Sequence, residues 1–307
     1  MANRTYQLII IGGGPAGLSA GLYASRSKLD ALLIEKAGLG GQILNAEMVE
    51  NYPGFPQGIS GSELGDLMAQ QAMKYGLPTV FAEVQGIEIR GDEKIVTTSD
   101  GQYRAKAVII AAGTEHSKLN VPGEEEFRGK GVSYCAMCDG AFFREQVVVV
   151  VGGGDVALND ALFLTRFATK VIVIHRRNQL RATKVLQDRA FASPKIEFLW
   201  DTVVESVTGD KLVREIKLRN VKTGNISSLV VSGVFVAVGL RPNTGYLKGL
   251  LTLDEGGFIS VNGQMETGVP GVYAAGDIRA GSIRQVVSAA GDGATAAIAA
   301  ERFISSV

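Results

Sequence analysis

The strongest constraint on the fold is a pattern that occurs twice. Tyr6–Ile11 is a short apolar run that ends in Gly12-Gly13-Gly14-Pro15-Ala16-Gly17. Ala16–Ser25 then has helical character, and Ala31–Glu35 is a second apolar run. Val147–Val151, the turn Gly152-Gly153-Gly154-Asp155-Val156-Ala157, Val156–Phe167 and Lys170–His175 repeat the order. Each copy predicts a strand, a glycine turn, a helix and a parallel strand. Gly152 lies far too long after Gly12 for the two turns to be successive units of a solenoid. Two separate nucleotide-binding domains are expected.

Other segments fill in this frame. Ser62–Tyr75 has apolar residues at helical spacing. Thr79–Ser99 reads as a small antiparallel meander, and Val108–Ala112 as a buried strand. Val213–Asn220 and Ser228–Ala237 read as strands, and Val272–Ala275 leads into Gly276-Asp277. Gln285–Ile304 is alanine-rich and helical in character. The expected class is α/β, with two Rossmann-like three-layer nucleotide-binding domains, the second inserted in the first. Residues 1–115 and 245–307 form the outer domain, and residues 116–244 the insert.

The two turns differ in chemistry. Gly12 permits the tight turn, Gly14 lets a pyrophosphate approach the backbone, and Gly17 lets the helix pack on the strand. The exposed N–H groups at the helix start favour phosphate. Glu35 ends the second strand, at the distance from Gly12 where a carboxylate can accept from a ribose diol. Gly152, Gly154, Asp155 and Ala157 repeat the turn with a small residue for the third glycine. At the same distance from Gly152 stand His175, Arg176 and Arg177, followed by Arg181. A carboxylate there would repel a 2′-phosphate, whereas guanidinium groups bind one through charge-assisted pairs. The first site should hold FAD or NAD and the second NADP(H).

The only two cysteines form Cys135-Ala136-Met137-Cys138, followed by Asp139. A zinc site needs four ligands, and His116 and His175 lack ligand spacing, so no metal is expected. The position between two nucleotide turns favours a flavin-linked redox disulfide. Such a dithiol reduces a partner disulfide through a mixed disulfide. Asp139 fits either a proton carrier or a local turn residue.

Lys+Arg and Asp+Glu number 31 each, which leaves no cationic excess for general nucleic-acid binding. No apolar run approaches the roughly 18 residues of a membrane span. With no secretory pattern at the N-terminus, a cytoplasmic location is expected.

Taken together, these motifs resemble the bacterial-type, low-molecular-weight thioredoxin reductases. The resemblance spans essentially the whole chain. It includes Gly40-Gly41-Gln42, Glu50–Phe55, Cys135–Gly140, His175–Arg181, Ala274–Asp277 and Arg284–Val286. It implies FAD on Gly12, Gly14, Pro15, Ala16, Gly17, Glu35, Gln42, Asn51, Gly276, Asp277, Arg284, Gln285 and Val286. Asp277 would reach the ribityl–phosphate region, and Arg284 and Gln285 the isoalloxazine ring. NADPH would take the second turn and the basic run. The family further implies Cys138 nearer the flavin, Cys135 attacking thioredoxin, Asp139 carrying the proton, and a homodimer. Met137, and Ala112 before Gly113, depart from common family residues without removing a reacting group. The alternatives are a flavin-dependent dithiol oxidase or a reductase of another small disulfide protein. The arginine cluster speaks against the oxidase.

Overall fold

The structure, a computed structural model, describes residues 5–46, 48–247 and 249–306. The chain divides into two compact units, Met1–Glu115 with Arg241–Val307, and His116–Leu240. The second unit is therefore inserted in the first. The two crossings of the chain pair as a two-stranded sheet, Thr114–His116 with Leu240–Pro242.

In the outer unit, Thr5–Ile11 lies between Ala31–Glu35 and Gly101–Ile110, parallel to both. Val272–Ala274 extends the parallel set on the far side of Gly101–Ile110. Burial of both sheet faces explains why Leu8–Ile11, Ala31–Ile34 and Ala107–Ile110 are unbroken apolar runs. Leu8, Ile10, Leu33 and Ile109 join a core with residues of helices Pro15–Arg26 and Val286–Ser306. Ile9, Ile11, Leu32 and Ile110 face the opposite side, with Leu247, Ile259 and Ile278. Helix Gly61–Met73 starts at Ser60, whose hydroxyl accepts from the Glu63 N–H at 3.1 Å and so caps the first turn.

Two expectations need correction. Thr79–Phe81 is not part of the meander. It pairs parallel with Ala31–Glu35 as an edge strand of the outer sheet. The meander is Val84–Arg90, Glu93–Thr98 and the start of Gly101–Ile110. A three-residue strand carries too little alternation to reveal which neighbour it joins. Likewise Ser228–Ala237 is not one strand. Ile226–Val230 pairs antiparallel with Val213–Asn220, while Gly233–Val236 enters a parallel sheet. Val231 and Ser232 turn the chain between them, and Gly233 has no room for a side chain beside Phe143.

The inserted unit has three layers. Its parallel sheet runs in the order Ile196–Leu199, Lys170–Ile174, Val147–Val151, Gly233–Val236, Val132–Ser133. Val148, Val150, Val171 and Val173 pack with Leu158 and Ala161 of helix Asp155–Leu164. Val149, Val151 and Ile172 pack with Val204, Ile216 and Leu218 of a three-stranded antiparallel sheet. Side-chain alternation along each strand thus feeds two cores. No helix among the described residues is long and apolar enough to cross a membrane.

Helices Pro15–Arg26 and Val286–Ser306 touch through backbone. A Cβ on Gly293 would overlap the Ala16 carbonyl oxygen, whereas one on Gly291 would meet nothing within 4 Å. Alanine is the better helix former by about 1 kcal/mol. At Gly293 overpacking outweighs that gain, at about 1–3 kcal/mol. Gly293→Ala should therefore lower the urea midpoint, and Gly291→Ala should hold or raise it. Equal midpoints for the two variants would contradict the close contact.

Candidate functional site

The first glycine turn is shaped by backbone contacts. Gly12 has φ +104°, and its N–H donates to the Ile34 carbonyl at 2.8 Å. A Cβ on Gly17 would overlap the Gly12 carbonyl oxygen. Around Gly14 there is space, the nearest atom to a built Cβ being the Gly41 Cα at 3.9 Å. Helix Pro15–Arg26 follows with proline in its first turn, no side-chain cap and no acid there. Its first N–H groups have no partner inside the helix, which is the arrangement that receives phosphate oxygens. Gly40 donates to the Gly13 carbonyl at 2.8 Å, so Gly40–Gln42 lies against the turn. Gln42 donates from Nε2 to the Thr114 carbonyl at 2.9 Å. Glu35 accepts from the Gly13 N–H at 2.6 Å and from the Ala37 N–H at 2.9 Å, which fixes the carboxylate behind the turn.

Distant segments of the same unit converge here. Gly276, at φ +78°, would bring a Cβ within 2.9 Å of the Ala16 Cβ. Its N–H donates to Asp292 Oδ2 at 3.1 Å. Arg279 closes a two-pronged pair with the same carboxylate, Nε–Oδ2 at 2.6 Å and Nη2–Oδ1 at 3.0 Å. Asp277 accepts from the Ser282 hydroxyl at 3.1 Å. Burial pushes the Asp277 carboxyl above its usual range, while the Ser282 bond pulls the other way. Asn51 donates to Gln285 Oε1 at 2.9 Å. Arg284 has φ +58°, and its guanidinium stands 5.5 Å from the Phe258 ring centre. Val286 opens the last helix and packs against the Ile43, Val49, Ile59 and Leu64 cluster.

In the inserted unit, a Cβ on Gly152 would overlap the Ala237 carbonyl oxygen, and Ala157 is fully buried. Gly154 has open space around it and precedes helix Asp155–Leu164, which has no side-chain cap. Asp155 accepts from the Thr183 N–H at 2.6 Å. Arg181 donates its N–H to the Gly153 carbonyl at 2.7 Å, folding the basic run onto the turn. Arg176, Arg177 and Arg181 are exposed and line a cavity of about 420 Å³. His175 differs from its neighbours. It is buried, its ring lies where a Gly153 side chain would be, and Nε2 is 3.1 Å from the Gln179 carbonyl. Burial holds it below the usual histidine range, the Gln179 bond opposing and the three arginines reinforcing. The positive charge of the run is thus carried by the arginines. Glu35 and His175 occupy matching places, each against the middle glycine of its turn.

Cys135 and Cys138 are joined, with Cα atoms 5.3 Å apart. Cys135 begins the short helix Ala136–Asp139, and its Sγ accepts from the Cys138 N–H at 3.2 Å. The Cys135 N–H donates to Ser133 Oγ at 3.0 Å. Behind the motif, buried Glu124 accepts from the Tyr134 hydroxyl and the Leu119 and Asn120 N–H groups, at 2.7–2.8 Å. Among the described residues no group of His, Cys, Asp and Glu is placed to hold a metal ion.

The family model for pyridine nucleotide-disulphide oxidoreductases matches residues 6–293. The chain belongs to that family. It is 47% identical over 302 residues to the thioredoxin reductase of Listeria innocua, covering 98% of this chain and 94% of the relative. The thioredoxin reductase of Bacillus subtilis is 45% identical, with 98% and 95% covered. Among solved structures, thioredoxin reductase from Streptococcus pyogenes superposes with a TM-score of 0.95 at 47% identity, covering all of both chains. That from Giardia duodenalis gives 0.94 at 36% identity, with 99% of this chain and 100% of that chain covered.

This member of the family is a flavoprotein disulfide oxidoreductase with FAD and NADPH as cofactors. Its residues fit them. The outer unit offers an uncapped helix N-terminus, open space at Gly14 and a fixed carboxylate at Glu35. The inserted unit offers a second uncapped helix and an arginine-lined cavity.

Sequence reasoning missed Asp292, Arg279, Ser282 and Glu124. Asp292 left one signal, an acid between two glycines in an otherwise small-residue, alanine-rich stretch of that helix, whose other acid is Glu301. A buried carboxylate needs a charged or hydrogen-bonding partner.

Helix Asp155–Leu164 carries Asp160, whose carboxyl burial pushes up to about 7. In the unfolded chain it titrates near about 4. The folded state therefore holds the proton more tightly, and stability falls as pH rises from about 4 to about 7. Asp160→Asn should remove this loss. The variant's urea midpoint should exceed that of the parent at pH 8 and match it at pH 4. A constant offset at both pH values would contradict the assignment.

Proposed function

We propose that this chain is an NADPH-dependent thioredoxin-disulfide reductase, acting in the cytoplasm as a homodimer. The observation that carries the reading is the Cys135–Cys138 disulfide. It holds the only two cysteines of a chain that matches thioredoxin reductases along 98% of its length.

In this reading residues 1–115 and 245–307 are the FAD domain, and residues 116–244 the NADPH domain. Gly12, Gly14, Pro15, Ala16 and Gly17 shape the turn whose backbone N–H groups face the FAD pyrophosphate, and Glu35 accepts from its ribose. Gly276 and Asp277, the latter held by Ser282, complete the FAD site with Gln42, Asn51, Arg284, Gln285 and Val286. Gly152, Gly154, Asp155 and Ala157 form the NADPH turn. His175 supports it from below, while Arg176, Arg177 and Arg181 receive the 2′-phosphate. FAD, when bound, supplies the two-electron relay between nicotinamide and disulfide.

The remaining chemistry belongs to the chain. With the disulfide reduced, Cys135 is the nucleophile, and the Cys138 N–H that now touches its sulfur faces a thiolate. A donor in that position stabilises the anion and lowers the thiol pKa. The Cys135 thiolate attacks one sulfur of the oxidised thioredoxin disulfide, forming a mixed disulfide and releasing the other sulfur as thiolate. Cys138 then attacks Cys135, which closes the Cys135–Cys138 bond and frees the reduced partner. Asp139, directly after Cys138, supplies the proton to the leaving thiolate and removes it from Cys138.

Cys135→Ser and Cys138→Ser should each lower NADPH-dependent thioredoxin reduction by about a thousandfold or more, while the flavin absorbance stays. The check is a steady-state assay with purified thioredoxin and absorbance spectra of each variant. Full thioredoxin reduction by Cys138→Ser would overturn the mechanism.

A further inference from the structure

The arginine-lined cavity has a wall that the motif does not include. Lys222 and Asp201 lie on it with Arg176, Arg177 and Arg181. Lys222 sits in the turn between strands Val213–Asn220 and Ile226–Val230. That turn is fixed, because Asn220 Oδ1 accepts from the N–H groups of Lys222 and Thr223 at 3.0 Å each. Asp201 joins it to the basic run. The Val221 N–H donates to the Asp201 carbonyl at 2.6 Å, and the Asp201 N–H donates to the Arg177 carbonyl at 3.3 Å. The Lys222 Nζ pairs with Asp201 Oδ2 at 2.9 Å.

The four cations of the cavity are not equivalent. Among the described residues, none of the three arginines has an acidic partner, whereas Lys222 is paired with Asp201. The pair is uneven, Lys222 being 60% exposed and Asp201 16%. A carboxylate in that position keeps the ammonium at the cavity wall.

We infer that Lys222 is a specificity-determining residue, a fourth cation that meets the 2′-phosphate of the nucleotide. This rests on the reading of the cavity as the 2′-phosphate site. A nucleotide without that phosphate leaves Lys222 paired with Asp201 and gains nothing from it. A nucleotide with the phosphate offers the ammonium a second anion within reach. Lys222 therefore acts on discrimination between the two, and not on adenosine binding as such.

The test is calorimetric titration of the FAD-loaded full chain with adenosine 2′,5′-bisphosphate and with 5′-AMP. Lys222→Gln should weaken the bisphosphate about fivefold, as expected for one partly exposed charge pair. It should leave 5′-AMP unchanged, and Lys222→Arg should keep the parent discrimination. Arg177→Ala is the control for the cavity itself and should weaken the bisphosphate roughly tenfold or more. If Lys222→Gln binds the bisphosphate like the parent while Arg177→Ala does not, the inference on Lys222 fails and the cavity reading stands. If both variants bind it like the parent, the cavity reading fails and the inference with it. Equal weakening of both ligands by Lys222→Gln would make its role structural and overturn the inference.

Discussion

At two points around the first nucleotide turn the backbone approaches so closely that no side chain fits. Gly17 has no space for a Cβ because the Gly12 carbonyl occupies it, and Gly293 has none because of the Ala16 carbonyl. These backbone contacts hold the outer unit's site together. They bring helix Val286–Ser306 onto helix Pro15–Arg26, and so bring Gly276 and Asp277 to the turn from the other end of the chain. Dense packing at such points leaves no room for relaxation, so position is set by sterics before any polar contact is made. The Asp292–Arg279 pair then fixes the Gly276 N–H through a buried carboxylate. Removing either partner would leave a charge stranded in the core, which makes the pair a strong constraint on local geometry.

The inserted unit solves the same problem with different chemistry. Its turn also rests on a backbone contact, Gly152 against Ala237, and its middle glycine also has a polar residue behind it. In the outer unit that residue is a carboxylate fixed by two N–H groups. In the insert it is a buried histidine held below its usual range, surrounded by exposed arginines. One architecture therefore presents an acceptor in one unit and a cationic pocket in the other. On that difference rests the proposed assignment of a ribose diol to one unit and a phosphorylated ribose to the other.

Much of this was legible in the residues. The turns, their spacing to Glu35 and His175, and the dithiol are local patterns, and local patterns survive translation into three dimensions. The central strands Tyr6–Ile11, Ala31–Glu35, Val147–Val151 and Lys170–Ile174 were legible because doubly buried strands are largely apolar runs, whereas Ile196–Leu199 and Val132–Ser133 at the sheet edges were not. Thr79–Phe81 and the division at Val231–Ser232 were not, because short segments do not encode which neighbour they join. His175 was legible as part of a basic run but not as a buried support of the turn.

The sequence alone thus determined that this chain has two glycine turns backed by residues of unlike charge and one closely spaced pair of cysteines. Those properties depend on residue type at short spacing. Tertiary structure decided which distant groups meet: Asp292 with Arg279 and Gly276, Asn51 with Gln285, Glu124 with Tyr134, and Lys222 with the arginine cavity. The reason is physical. A buried or shared charge is given its role by its partner, and the partner is chosen by packing across the fold rather than by distance along the chain.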